Sequence, residues 1–231
     1  MNDIINNIKN VRSRIALACE NIGRDVDSVK LMLATKTVDP DRIRIAIEAG
    51  ETLLGENRIQ EFAVKNPELS DLKYDRHFIG HLQTNKIKDV LKYNVKCLQS
   101  LDNIELMQKL DRHFQAEGCC IDVMVQVNTS FESSKFGLSP DKVFTFLKEL
   151  KKYDTLKLTG FMTIGLFDSS MEAVRRSYTR LKDLRNRAIS EGIVSPECKE
   201  LSMGMSSDLE VAIEEGATIV RIGTAIFGTR I

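Results

Sequence analysis

The stretch that decides the fold is VKLMLATKTVDPD, residues 29–41. Its first half is an apolar run, which predicts a buried strand over residues 30–35. Asp39 followed by Pro40 predicts a helix start, because aspartate commonly caps a helix and proline is favoured in its first turn. A buried strand that leads directly into a helix is typical of a parallel α/β fold.

The same alternation continues to the end of the chain. An N-terminal helix is predicted over residues 3–21. The predicted strands are 30–35, 52–55, 77–80, 96–100, 121–128, 157–163, 199–203 and 218–222. The predicted helices between them are 40–49, 57–65, 85–91, 103–116, 140–153, 171–191 and 207–215, and residues 225–228 form a closing turn. Eight such units in 231 residues favour a single (β/α)₈ TIM barrel over an open doubly wound sheet. No linker or repeat divides the chain, so we expect one domain over residues 1–231.

Composition excludes several function classes. Lys plus Arg equals Asp plus Glu, at 33 each, so no basic excess points to nucleic acid or to an anionic membrane. No apolar run is long enough for a transmembrane helix, and the polar N-terminus lacks the apolar segment of a signal peptide. Five cysteines without a C-x-x-C spacing predict buried, reduced thiols in a cytoplasmic protein and no metal site. We also expect a monomer.

Lys36 is the first candidate site residue. Met32, Ala34 and Lys36 alternate onto one face of the first strand. If this face lines the barrel, Lys36 points into the mouth at the carboxyl end of the strands, where such barrels carry their chemistry. The alternative is a lysine that only extends its amine into solvent at the end of a strand.

The loops after the seventh and eighth strands predict a phosphate site, as is frequent in this fold. The loop that begins at Ser202 offers Gly204 and Ser206, and the last loop offers Gly223 and Thr224. Glycines permit close backbone approach, and unpaired amides at a helix start bind phosphate.

Two features of the first loop are predicted to be structural. Ser207 and Glu210 match a capping box. Asp208 is expected to point outward in the first turn of the next helix, where its charge complements the helix dipole.

Arg221 shares the inward face of the eighth strand with Gly223. A buried arginine is costly unless it is paired, so it is either part of an ion pair with an inward carboxylate or a donor to a buried ligand atom. Because the eighth and first strands meet when the barrel closes, one arc carries Ser206, Arg221, Lys36 and Asn57. An amine, a phosphate cradle and a guanidinium suit pyridoxal 5′-phosphate (PLP), whose aldehyde condenses with lysine.

Ordered blocks throughout the chain resemble the pyridoxal phosphate homeostasis family, which is related to the N-terminal barrel of alanine racemase. The matching blocks are ATKT (34–37), GENRIQE (55–61), HFIGHLQTNK (77–86), VN (127–128), KFG (135–137), GFMTI (160–164), LSMGMSSD (201–208) and RIGTAIFG (221–228). The resemblance implies a cytoplasmic barrel of the alanine racemase N-terminal type that binds PLP.

The resemblance also implies residue roles. Lys36 would form the Schiff base, Ser206, Gly223 and Thr224 would hold the phosphate, and Arg221 would face the pyridine nitrogen. Asn57 and Ser202 complete the implied binding residues. A permanent cation beside the pyridine nitrogen disfavours its protonation, which weakens the ring as an electron sink.

Three functions remain open from the sequence. The favoured hypothesis is a carrier or buffer in vitamin B6 homeostasis, without catalytic residues, that exchanges PLP with PLP-dependent apo-enzymes. The alternative is a PLP-dependent amino-acid enzyme similar to a racemase. Alanine racemases, however, add a β-rich domain with a catalytic tyrosine, and none of Tyr74, Tyr93, Tyr153 and Tyr178 falls at a predicted strand end. A Schiff-base aldolase is the third hypothesis, for which no proton-relay residue is found.

Overall fold

Eight parallel strands close into a barrel in chain order in the computed structural model, which describes residues 2–166 and 170–228. The strands are β1 (Lys30–Ala34), β2 (Leu53–Glu56), β3 (Asp75–Phe78), β4 (Cys97–Leu101), β5 (Ile121–Gln126), β6 (Leu156–Met162), β7 (Glu200–Ser202) and β8 (Ile219–Ile222). The predicted (β/α)₈ barrel is confirmed.

Helices cover the outside of this barrel. They are α1 (Asn2–Asn21), α2 (Pro40–Glu48), α3 (Ile59–Leu69), α4 (Ile87–Lys92), α5 (Ile104–Ala116), α6 (Val143–Leu150), α7 (Met171–Ser190), α8 (Leu209–Glu214) and α9 (Thr224–Phe227). The extra N-terminal helix α1 packs against α2, α8 and α9. The predicted start of the helix after β1 is confirmed, since Asp39 occupies the N-cap position of α2 in an extended conformation and Pro40 is its first residue, although the Asp39 side chain makes no capping hydrogen bond.

Side-chain alternation along β1 separates the inside of the barrel from the outside. Met32 belongs to an apolar cluster inside the barrel together with Cys97, Met124, Met162 and Ile219. Leu31 and Leu33 pack instead in the core that β-strands share with the surrounding helices. The face that carries Met32, Ala34 and Lys36 is therefore the inner face, as predicted.

The pairing of β8 with β1 places the predicted site residues side by side. Arg221 lies opposite Met32 in the register of the two strands. The barrel thus brings the carboxyl ends of its last and first strands together at one mouth, which is the arrangement that the predicted arc required.

Predicted boundaries fail where polar residues begin or end a strand. The third strand was predicted over 77–80 but starts at Asp75, which pairs with Leu53 of β2. Charged side chains at the amino ends of strands reach solvent, so apolar periodicity does not mark these positions. The predicted helix over 140–153 begins as a 3₁₀ turn at Pro140–Lys142 before α6.

The cysteine prediction is correct only in part. Cys19, Cys97 and Cys198 are buried free thiols, but Cys119 and Cys120 are exposed. No group of His, Cys, Asp or Glu within the described residues could hold a metal ion. None of the helices described in this chain is long and apolar enough to cross a membrane.

Candidate functional site

A cavity of about 570 Å³ opens at the carboxyl ends of β1, β7 and β8. Five of the predicted site residues line it: Lys36, Ser206, Arg221, Gly223 and Thr224. Ala34, Thr37, Asp39, Arg42 and Phe227 also contribute to its wall. The amine, the guanidinium and the hydroxyl groups that the sequence placed on one arc therefore share one cavity.

Lys36 lies in a tight turn that follows β1. The Val38 N–H donates to the Thr35 carbonyl at 3.0 Å, which closes the turn around Lys36 and Thr37. Thr37 has a positive φ of 62°. This left-handed conformation disfavours a β-branched residue and costs on the order of 1–3 kcal/mol. The turn keeps its shape only because surrounding groups hold it.

A buried ion cluster behind the turn provides this support. Lys65 donates to the Thr35 carbonyl at 2.7 Å, to Glu61 at 2.7 Å and to Glu56. The Thr35 hydroxyl donates to Glu56 at 2.6 Å, and the Thr37 N–H donates to Glu61 at 2.7 Å. Burial raises the pKa of Glu56 to about 7, while its contacts with Lys65 oppose that shift. Both neighbours of Lys36 are thus anchored to one cluster.

Arg221 is held from inside the barrel by neutral groups. Its guanidinium donates to the Ser202 hydroxyl at 2.8 Å and to the Thr163 carbonyl at 2.7 Å. Ser202 in turn donates to Gln99 Oε1 at 2.6 Å, and Gln99 Nε2 is 2.9 Å from Nδ1 of His77. With the amide oriented in this way, Gln99 donates and His77 accepts at Nδ1. We call this chain the Arg221 relay.

The sequence left two alternatives for Arg221, an ion pair with a buried carboxylate or a donor to a ligand atom, and its observed partners bear on that choice. No carboxylate in residues 2–166 or 170–228 lies within salt-bridge distance of its guanidinium, although only 6% of the residue is exposed. Burial lowers the pKa of Arg221, but a guanidinium stays charged at ordinary pH. The buried guanidinium thus has neutral oxygens as its direct partners, and Asp208 acts on it only from beyond salt-bridge distance, which favours the ligand interpretation over a structural ion pair.

Two hydroxyl groups form the rim of the cavity where the sequence predicts a phosphate site. Thr224 Oγ1 donates to Ser206 Oγ at 3.2 Å, and the Ala225 N–H donates to the same oxygen at 3.3 Å. A Cβ atom added to Gly223 would lie 3.0 Å from the Ala34 carbonyl oxygen, so the backbone there passes close to β1. Hydroxyls and backbone amides of this kind are suitable donors to a phosphate.

The structure corrects three interpretations of the loop after β7. Asp208, not Ser207, occupies the N-cap position of α8, and it makes no side-chain capping hydrogen bond, so the predicted capping box of Ser207 with Glu210 is wrong. Asp208 points inward, is only 3% exposed and accepts from the Met205 N–H at 2.6 Å. Gly204 has φ +94°, and an added Cβ would meet Ala212 of α8 at 2.5 Å, so this glycine serves the turn and helix packing.

Two predicted site residues lie outside the main cavity. Ser202 is fully buried and contacts Arg221, so any effect on a ligand passes through the guanidinium. Asn57 lines a neighbouring cavity of about 510 Å³ together with His81, whose ring stacks on Phe136. Direct contact of Asn57 or Ser202 with a cofactor stays a prediction.

Sequence patterns missed the residues that support the site. Gln99 and His77 appeared only as parts of strands, and Glu56, Glu61 and Lys65 only as parts of a motif or a helix. The available signal was a polar or charged residue at a buried position of a strand, as at Glu56 and Gln99. Tyr178 is also fully buried, against Gly165, and burial raises the pKa of its hydroxyl.

The fold and the cavity define the class of the protein: a parallel barrel with a lysine, an arginine and a hydroxyl rim at the carboxyl ends of its strands. Comparisons with known proteins identify the family within this class. The family described as alanine racemase, N-terminal domain, matches residues 6–231. The Aquifex aeolicus protein named pyridoxal phosphate homeostasis protein is 42% identical over 227 residues, which cover 96% of each chain. Its namesake in Pseudomonas aeruginosa is 37% identical over all of this chain and 97% of its own.

Solved structures agree with these sequence matches. PipY of Synechococcus elongatus, solved with PLP bound, is 28% identical and superposes with a TM-score of 0.85 over 97% of this chain and all of its own. An alanine racemase of Clostridium difficile shares the fold, with a TM-score of 0.80 at 15% identity, and is covered over 57% of its length. The chain belongs to the alanine racemase N-terminal domain family and, within it, to the pyridoxal phosphate homeostasis proteins.

Proposed function

We propose that this protein binds PLP at the main cavity and acts as a carrier or buffer in vitamin B6 homeostasis. The observation that carries the proposal is the meeting of Lys36, the Arg221 guanidinium and the hydroxyl rim in one cavity. The names of the full-length relatives and the PLP-bound PipY structure support the same cofactor.

The residues present fit the cofactor at each of its three ends. Ser206, Gly223 and Thr224 would bind the phosphate through hydroxyl and backbone donors. Arg221, which can only donate, would hydrogen-bond the unprotonated pyridine nitrogen. The aldehyde supplies a carbonyl that condenses with an amine to a Schiff base, and Lys36 is the amine that lines the cavity. Ser202 supports Arg221, and Asn57 borders the adjoining cavity.

We infer that the protein has no catalytic turnover. Amino-acid turnover on PLP needs groups that move a proton at the substrate, and transamination is in addition favoured by a protonated ring that accepts electrons. Among the described residues that line the cavity, Asp39 is the carboxylate, and neither a histidine nor a tyrosine is present. Arg221 disfavours ring protonation because two like charges would meet. This combination supports holding the cofactor rather than using it.

The proposal also covers the domain organisation, the oligomeric state, the compartment and the partners of the protein. We infer one binding domain over residues 1–231, which acts as a monomer in the cytoplasm and exchanges PLP with PLP-dependent apo-enzymes. Buried free thiols at Cys19, Cys97 and Cys198 are consistent with a reducing compartment.

Titration of the protein with PLP, followed by an exchange assay, tests the function. We expect saturable binding with the absorbance of a lysine-bound cofactor, and no loss of α-deuterium from common amino acids. Turnover that is robust in the wild type and lost in Lys36→Ala would instead establish the racemase-like alternative.

A further inference from the structure

We propose that Glu56, Glu61 and Lys65 are positioning residues that hold Lys36 in the orientation from which its amine attacks an aldehyde. This inference rests on the proposed PLP-binding function and adds three residues that do not themselves line the cavity. The step that they serve is condensation, in which a C=N bond replaces the C=O bond of the aldehyde and one water leaves.

The first argument is where the cluster makes contact. It binds the residue before Lys36 at two atoms, the Thr35 carbonyl and hydroxyl, and the residue after it at one, the Thr37 N–H. A cluster that served only to join α3 to the barrel would have no reason to converge on both neighbours of one side chain. These contacts fix the backbone of Lys36 while its side chain lies along the cavity.

The second argument is the strain beside Lys36. Thr37 adopts a φ of 62°, which a threonine keeps only when surrounding contacts determine it. Its N–H is fixed by Glu61 at 2.7 Å, and Glu61 is fixed by Lys65. Without Glu61 the turn can relax toward an ordinary conformation, and this relaxation moves the Lys36 backbone.

The third argument is the charge arrangement. Lys65 is only 6% exposed, and all three of its donated hydrogen bonds stay within the cluster or reach Thr35. A buried ammonium is stable only with close acceptors, so Lys65 and its two carboxylates form a rigid unit. Glu61 is its most accessible member, with 17% of its side chain exposed, and is therefore the position to change.

The test separates condensation from simple binding. The condensation rate is measured with PLP by absorbance and borohydride trapping. Binding alone is measured with 4-deoxypyridoxine 5′-phosphate, which keeps the ring and the phosphate but has a methyl group in place of the aldehyde. In Glu61→Ala we expect the condensation rate to fall about 10- to 100-fold, as displaced reacting groups do. Affinity for the analogue should not change.

Two variants make this result specific. Glu61→Gln should restore the condensation rate, because its amide oxygen can still accept from the Thr37 N–H. Glu105→Ala is the matched control: it removes the carboxylate of another i,i+4 pair, with Lys109 at 2.6 Å on α5, and should leave both readouts unchanged.

The inference is overturned if Glu61→Ala condenses with PLP at the wild-type rate, or if it loses condensation and analogue binding in equal measure. The second outcome would show a general effect on folding. A wild-type protein that binds the analogue but never condenses with PLP would contradict the proposed function itself, so the two failures are distinguishable.

Discussion

The barrel carries a cavity of similar size at each end, and the two differ in how their cations are paired. At the amino end, a cavity of about 470 Å³ is bordered by Lys30 and Lys96, which form ion pairs of 2.6 Å with Glu200 and Asp75. At the carboxyl end, Arg221 donates to a hydroxyl and a carbonyl, and no carboxylate of the described residues forms a salt bridge with it. The two volumes alone do not indicate which cavity binds a ligand.

This difference in the pairing of cations indicates which of the two cavities is suited to an anion. Paired lysines at the amino end cancel their charge and leave little potential for a ligand. The Arg42 guanidinium at the carboxyl end, like that of Arg221, donates to a neutral oxygen, the Phe227 carbonyl at 2.6 Å. Within the described residues, neither of these two arginines has a carboxylate at salt-bridge distance. The arginines of the carboxyl-end cavity therefore have neutral direct partners, as the proposed phosphate site requires.

The largest expected effect concerns His77, which links the two ends because it borders the amino-end cavity and terminates the Arg221 relay. Burial lowers the pKa of His77 from 6.5 to about 4. The unfolded chain therefore binds a proton that the folded protein does not between these pH values. The contribution of a neutral His77 to stability is complete above pH 6.5 and falls by about 3 kcal/mol as the pH drops toward 4, whereas the raised pKa of Glu56 acts in the opposite direction over this range.

Urea unfolding as a function of pH measures this contribution. His77→Gln keeps an acceptor for Gln99 but cannot titrate in this range, so the stability of the wild type relative to this variant should fall by about 3 kcal/mol between pH 6.5 and pH 4. His113 lies outside the relay, so His113→Gln should show the same pH dependence of stability as the wild type. If the free energy of unfolding depends on pH in the same way in His77→Gln as in the wild type, the relay does not depend on a neutral His77.

The second-largest effect is expected on PLP affinity, at the part of the carboxyl-end cavity where we propose that the phosphate binds. Ser206→Ala removes a charge-assisted hydrogen bond worth about 1.5–3 kcal/mol, so PLP affinity should fall about 10- to 150-fold. Pyridoxal, which lacks the phosphate, should bind mutant and wild type alike in a calorimetric titration. An equal loss for both ligands would indicate damage to the fold rather than to the phosphate contact.

The smallest effect is expected at the amino end. Lys96→Met removes an ion pair whose side chains are about half exposed, at 54% and 49%. Such pairs contribute roughly 0–1 kcal/mol to stability. PLP affinity, measured by the same titration, should not change. A clear loss of affinity would mean that the amino-end cavity takes part in binding, and the comparison between the two ends would fail.

Sequence predicted the barrel and five residues of the cavity because both depend on regular spacing. Strand alternation and the order of strands and helices determine that Lys36 and Arg221 face inward at adjacent strands. The supports of these residues depend on contacts between distant elements, such as Lys65 of α3 with Thr35, or Ser202 of β7 with Gln99 of β4. Asp208 points inward for the same reason, since its partner is a loop amide and not the helix dipole.

Chemical labelling tests the central claim most directly, namely that Lys36 of the carboxyl-end cavity is the amine that takes up PLP. The PLP-loaded protein is reduced with borohydride, digested and mapped by mass spectrometry, with Lys36→Ala in parallel. We predict one principal labelled lysine, Lys36, and no such label in the variant, although its phosphate contacts still bind PLP reversibly. Principal labelling of Lys30 or Lys96 at the amino end, or of any other lysine in the wild type, would contradict the account.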